Sequence, residues 1–217
     1  RTHRKILVVD GAVAYVGGIG IADHWAGTAG SAEEWRDTQF EVHGPAADNI
    51  EAGFHENWIE TGGLVEPIVA PRAGPPAGDA RSIVIWSSSE AGSNALKLVY
   101  LLALGAARKA IDIQSPYFIT DDSTMWSLLE ARRRGVRIRV LTEGDITDAK
   151  PVKFAGREEY DLFLSQEIAI YEYQPAMMHV KALIIDGILS IVGSANFDNR
   201  SLELNDELNV AVFDRGL

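Results

Sequence analysis

Short apolar runs, each closed by glycine, proline or aspartate, recur along this chain. Residues 6–9 and 12–16 flank an Asp10-Gly11 pair, and 182–185 and 188–192 flank Asp186-Gly187. Both stretches read as strand–turn–strand hairpins buried on one or both faces. Residues 37–44 alternate apolar and polar, which predicts a strand ended by Gly44-Pro45. Over 46–61, Ala47, Ile50, Phe54 and Trp58 recur at helical spacing, and Gly62-Gly63 stops the helix. A stretch rich in proline, glycine and alanine at 71–80 reads as a linker. Beyond it the period switches back and forth. Strands are predicted at 82–88, 110–118, 136–142, 168–173 and 206–213, with helices at 94–109, 121–134 and 156–165. Residues 21–34 read as loop or short helix. Alternation of this kind predicts an α/β fold with a parallel or mixed sheet.

The polar residues that interrupt this pattern repeat. His3, Lys5 and Asp10 are spaced like His179, Lys181 and Asp186, and each set leads through a second apolar run to Gly17-Gly18 or Gly193-Ser194. Residues two apart on a strand share a face, so each lysine lies beside its histidine. Matched spacing with matched apolar filler marks an internal repeat. Histidine, ammonium, the hydroxyl of Ser194, the amide of Asn196 and glycine-exposed backbone at one strand end suit a phosphate with a nucleophile beside it.

Two HxKxxxxD motifs followed by a glycine-rich turn resemble the phospholipase D superfamily, and most nearly its cardiolipin synthase-like branch. The stretches Trp35-Arg-Asp-Thr, Ser115-Pro-Tyr-Phe and Gly-Ser-Ala-Asn-Phe-Asp-Asn-Arg-Ser at 193–201 carry the same resemblance. It implies a fold of two pseudo-symmetric halves with mixed sheets flanked by helices, here 1–70 and 81–217. It also implies that both motifs meet at one site. One histidine attacks phosphorus to give a phosphohistidine and the other protonates the leaving alkoxide, then activates the incoming alcohol or water. The resemblance favours His3 as nucleophile and His179 as acid, with no metal and no cofactor.

Set against its own repeat, the first half is incomplete. Strands and helices precede His179 over 81–178, whereas two residues precede His3. The expectation is a longer natural protein, with a first half that has exposed sheet edges and little core by itself.

The remaining candidates divide by role. Lys5 and Lys181 clamp the non-bridging phosphate oxygens. Asp10 and Asp186 complete the motif set, though Asp-Gly pairs read as turn residues or as partners of a buried Lys or His, not as reacting groups. Gly18, Ser194, Asn196 and Tyr117 are the expected phosphate or substrate contacts; Gly20 offers no side-chain donor, so that half relies on backbone. Each histidine needs an acceptor on its other ring nitrogen, and Asp37 and Glu207, early in the strand after each motif, are the candidates. Trp25, Trp35, Trp58, Trp86 and Trp126 do not cluster at short spacing, and most read as core.

Composition narrows the partners. The chain has 217 residues, a net charge of −11 and no cysteine. Disulfides and thiolate metal sites are excluded, and the acidity argues against a nucleic-acid partner. The longest apolar helical run, 98–107 between Lys97 and Arg108, is half the roughly 20 residues that span a bilayer. The expected partners are a phospholipid and an alcohol acceptor, at the membrane periphery or in the cytoplasm. A hydrolase using water, a nuclease of the same superfamily and a non-catalytic phosphate binder are the alternatives.

Overall fold

In a computed structural model, residues 2–64, 77–88 and 93–216 are described. The sheets divide the chain in two. The first is antiparallel, ordered β1 (Ile6–Val9), β2 (Val13–Gly17), β3 (Gln39–His43). Helix α1 (Pro45–Glu60) packs on it, begun by Pro45 after Gly44 at φ 78°. Most of the 71–80 linker lies outside the described residues.

The second sheet has seven strands: β4 (Arg81–Trp86), β5 (Ala110–Gln114), β7 (Arg137–Glu143), β8 (Ala169–Tyr173), β9 (Ala182–Ile185), β10 (Leu189–Gly193) and β12 (Leu208–Phe213). Their spatial order is β4-β12-β10-β9-β5-β7-β8. β5, β7 and β8 run parallel, as β/α alternation requires, and β9, β10, β12 and β4 add antiparallel pairs. Short strands β6 (Phe118–Ile119) and β11 (Phe197–Asp198) pair in parallel. Helices α2 (Ala95–Ala106) and α3 (Asp122–Arg133) pack against each other. The Asp121 side chain caps α3 by accepting from Thr124 N at 2.8 Å, with Arg132 and Arg133 in its last turn.

One expectation needs correction. The helix placed at 156–165 is two helices, α4 (Lys150–Arg157) and α5 (Tyr160–Ser165). Pro151 suits a helix start, and Gly156 lies within α4, where a Cβ would come within 2.9 Å of Phe118 O. The glycine is a close-packing residue, not a helix start. The first half completes its core with the second. Ala14, Val16, Ala47 and Ile50 form one buried cluster with Leu208 and Val210 of β12. The first sheet stacks on the second and borrows its apolar face, while the predicted open edge remains, with Leu7 and Val9 of β1 exposed.

Candidate active site

Each histidine lies in the extended lead-in to its hairpin, and each lead-in pairs with the other half of the chain. Thr2 bridges Asp206 in parallel, and Met178 bridges Arg36 in parallel. His3 N donates to Asp206 O at 2.9 Å, and His179 N donates to Arg36 O at 2.7 Å. A parallel bridge sets the next residues of both segments side by side. The next residues are His3 with Glu207, and His179 with Asp37. The His3 Nδ1 lies 2.8 and 3.0 Å from the Glu207 carboxylate oxygens, and His179 Nδ1 lies 2.7 Å from Asp37 Oδ2. Both carboxylates are buried, so each acid fixes its imidazole's rotation and tautomer. The acids are exchanged: the first half holds the second half's histidine, and the second holds the first's.

The lysines repeat this symmetry. Lys5 Nζ donates to His3 O at 3.0 Å and Lys181 Nζ to His179 O at 2.6 Å. Burial sets the electrostatics. His179 is pulled down to about 4, chiefly by desolvation and further by the Lys181 and Lys5 charges, against the Asp37 hydrogen bond that raises it. Desolvation also lowers Lys181 to about 7, with Lys5 adding to the fall and Asp37 opposing it. Both are buried bases whose charged forms burial disfavours, and an anion beside them would favour their protonation.

The other candidates separate. Asn196 is buried, and its Oδ1 has no hydrogen-bond partner. It lines a cleft of about 510 Å³ with His3, Tyr117, Asp148 and Asp198. Tyr117 OH donates to Asp148 Oδ1 at 2.6 Å across this cleft. Ser194 is not available to a substrate: fully buried, it donates to Glu207 Oε2 at 2.5 Å and accepts from Leu208 N at 3.1 Å. Gly18 lies against the other orienting acid. A Cβ there would come within 2.5 Å of both Asp37 oxygens, so its bareness makes room for the carboxylate. At equivalent places in the repeat, a hydroxyl grips one orienting acid and a missing side chain admits the other.

Asp10 and Asp186 stand apart from the histidines. Each stands at the far turn of its hairpin, about 20 Å along the strand from its histidine. Both hold left-handed backbone, at φ 53° and 58°. Asp186 accepts from the backbone N–H groups of Arg108, Lys109 and Ala110 at 2.9, 2.7 and 2.8 Å, which pins the start of β5. Desolvation, the largest single contribution, raises its pKa, but these hydrogen bonds together with the Lys109 charge outweigh it and leave the pKa lowered.

Sequence reasoning missed several neighbours of the site. Asp198 enters the His3 cleft from β11, its carboxyl raised by burial although Ser201 N donates to it at 2.7 Å. Trp25 and Trp35 stand beside His179, so these two are site residues, not core. Trp58 and Trp126 are exposed, and only Trp86 packs against a buried cluster. No local pattern signals Trp25, because its contact with His179 spans most of the chain. Among the described residues, no group of three or more His, Asp and Glu side chains is arranged to hold a metal ion, and no helix is long and apolar enough to cross a membrane.

Comparison with known proteins places the chain among known families. Residues 100–217 match the family model described as cardiolipin synthase, PLD-like domain. The chain is 33% identical to cardiolipin synthase A of Pseudomonas putida (strain GB-1), over 99% of this chain and 44% of that protein. It is 32% identical to a cardiolipin synthase of Alkalihalophilus pseudofirmus, over 98% of this chain and 43% of the relative. The chain thus spans less than half the length of these relatives. Among solved structures, phosphatidylserine synthase from Haemophilus influenzae Rd KW20 superposes with a TM-score of 0.71 at 14% identity, covering 99% of this chain and 58% of its own. Nuc from Salmonella typhimurium, a phospholipase D family member, matches at TM-score 0.50 and 22% identity, over 63% of this chain and 84% of its own.

Proposed function

As the chain belongs to the cardiolipin synthase, PLD-like domain family of the phospholipase D superfamily, we propose that it forms the reacting half of a phosphatidyltransferase. It acts on phospholipid phosphodiesters through a phosphohistidine. One observation carries the reading: two imidazoles, each held at Nδ1 by the other half's buried carboxylate, with a lysine behind each. A ring fixed at Nδ1 presents Nε2 to the substrate.

In the first step one Nε2 attacks phosphorus, the bond to the leaving alcohol breaks, and the other imidazolium gives that oxygen its proton. In the second, the acceptor alcohol passes its proton to the now neutral imidazole, attacks phosphorus and displaces the first histidine. Lys5 and Lys181 balance charge on the non-bridging oxygens. Following the resemblance, His3 is the nucleophile and His179 the acid. A buried His179 at about 4 is neutral at pH 7. It takes up the proton it donates when the phosphodiester anion enters and offsets the lysine charges that depress it. The substrate partners are a phospholipid and an alcohol, met at the membrane surface. Water in place of the alcohol gives the hydrolase.

Quenched reactions of the full natural protein, analysed by denaturing mass spectrometry, test the reading. A phosphatidyl or phosphate adduct on histidine, lost in His3→Ala, is the expected result. Turnover unaffected by His3→Ala and His179→Ala would end it. Lipid products with and without added glycerol distinguish transfer from hydrolysis.

A further inference from the structure

The acid that holds His179 is itself held, and its holder lies outside the repeated motif. Trp25 ends a short 3-10 turn, Asp23–Trp25, and its indole Nε1 donates to Asp37 Oδ2 at 3.2 Å. This is the oxygen that faces His179 Nδ1 at 2.7 Å. The ring centroids of Trp25 and Trp35 lie 5.6 and 5.1 Å from that of His179, and 4.9 Å from each other. His24 stacks on the same pair at 4.2 and 4.0 Å. The backbone locks the wall in place, since Trp35 N donates to His24 O at 2.6 Å. An indole N–H, a carboxylate and an imidazole therefore form one chain, with aromatic rings against the imidazole.

Gly20 belongs to this arrangement. A Cβ at Gly20 would meet the Trp25 ring at 2.7 and 2.8 Å. The aromatic six-membered ring is rigid and cannot give way as a flexible chain end would. The missing side chain is the space in which Trp25 stands.

We propose that Trp25 is a positioning residue for His179, acting through Asp37, and that Gly20 is bare because the indole occupies its side-chain space. The inference rests on His179 being a reacting group in the proposed transfer. The N–H fixes which way the Asp37 carboxylate turns, and the carboxylate then fixes the imidazole. The two tryptophans keep water from the ring, so it enters the reaction with one orientation and without a hydration shell. Loss of the indole N–H leaves Asp37 with one donor fewer, which strengthens its pull on an imidazolium, and a smaller ring admits water. Both effects favour the charged form of His179.

The test is nuclear magnetic resonance of histidine-labelled full natural protein, titrated from pH 3.5 to 8, for wild type, Trp25→Phe, Gly20→Ala and Trp58→Phe. Trp25→Phe is expected to raise the His179 pKa by about one unit, a tenfold change in its protonation equilibrium. It should blur the Nδ1–H tautomer signal, lower kcat about tenfold and leave KM within about twofold. Gly20→Ala should move His179 in the same direction by displacing the indole. Trp58→Phe, far from the site in sequence and stacked on Phe54, should change neither. An unchanged His179 pKa and tautomer in Trp25→Phe would overturn the proposal, as would an equal shift in Trp58→Phe. The titration needs no turnover, so it decides the role of Trp25 whether or not a phosphohistidine is found.

Discussion

The exchange of orienting acids between the halves can be measured as a coupling energy. Asp37 faces His179, not His3, although His3 is its partner by repeat position. Consider Asp37→Ala with His179→Ala in one double-mutant cycle, and Asp37→Ala with His3→Ala in another. Asp37→Ala also loses its bonds to Trp25 Nε1 at 3.2 Å and to Thr38 N at 2.8 Å. Those losses occur in both arms and cancel. The residual is the contact itself, a hydrogen bond to a buried ionised carboxylate, worth about 1.5–3 kcal/mol. The Asp37–His179 coupling should therefore be about 2 kcal/mol. The Asp37–His3 coupling should stay within about 0.5 kcal/mol, as for residues without a shared contact. Glu207 should show the mirror pattern, coupling to His3 and not to His179. The assay is urea unfolding at pH 7, comparing midpoints at constant slope. If Asp37 couples as strongly to His3 as to His179, the exchanged pairing is wrong, and with it the argument that the bridges at Thr2 and Met178 build the site.

Four further outcomes follow from the same geometry. Inorganic phosphate or tungstate should raise the His179 pKa from about 4 by more than one unit in an NMR titration; no change would mean that the lysines do not gather an anion beside it. Gly18→Ala should push the Asp37 carboxylate off His179, because a Cβ falls within 2.5 Å of both oxygens. Activity should drop at least a hundredfold, while far-ultraviolet circular dichroism stays native. Asp186→Ala should lower unfolding stability by about 2 kcal/mol through three lost backbone hydrogen bonds, with turnover per folded molecule unchanged. Glu143 is buried. Desolvation, with Asp148 and Glu172 adding, raises its pKa to about 7 against partial opposition from Thr147 and Lys153. Its folded pKa exceeds the unfolded value of 4.5, so its stabilising protonation is complete below about 4.5 and is lost as pH rises through 7. Relative to Glu143→Gln, the wild type should lose about 3 kcal/mol between pH 4.5 and 8; a pH-independent difference would refute it.

Much of the site was legible in one dimension because the repeat writes it twice. Lone histidines and lysines carry little information, but the same spacing at positions 3–10 and 179–186 cannot be dismissed as packing. Where the reading slipped, a local pattern stood in for a long-range contact. Asp186 shares a motif with His179 and sits at the other end of its hairpin. Ser194 has the chemistry of a phosphate donor, yet its hydroxyl is spent on Glu207. Trp25 has no neighbour in sequence that hints at His179.

The linear order of residues by itself settled the β/α alternation, the doubled hairpin and the His–Lys pairs, because each depends on spacing along one strand or helix. Which carboxylate serves which histidine, how far burial depresses Lys181, and why Gly18 and Gly20 carry no side chain were settled only when the halves packed. The reason is physical. Desolvation and the crossed parallel bridges arise from segments more than a hundred residues apart, and no local periodicity encodes which surfaces will exclude water together.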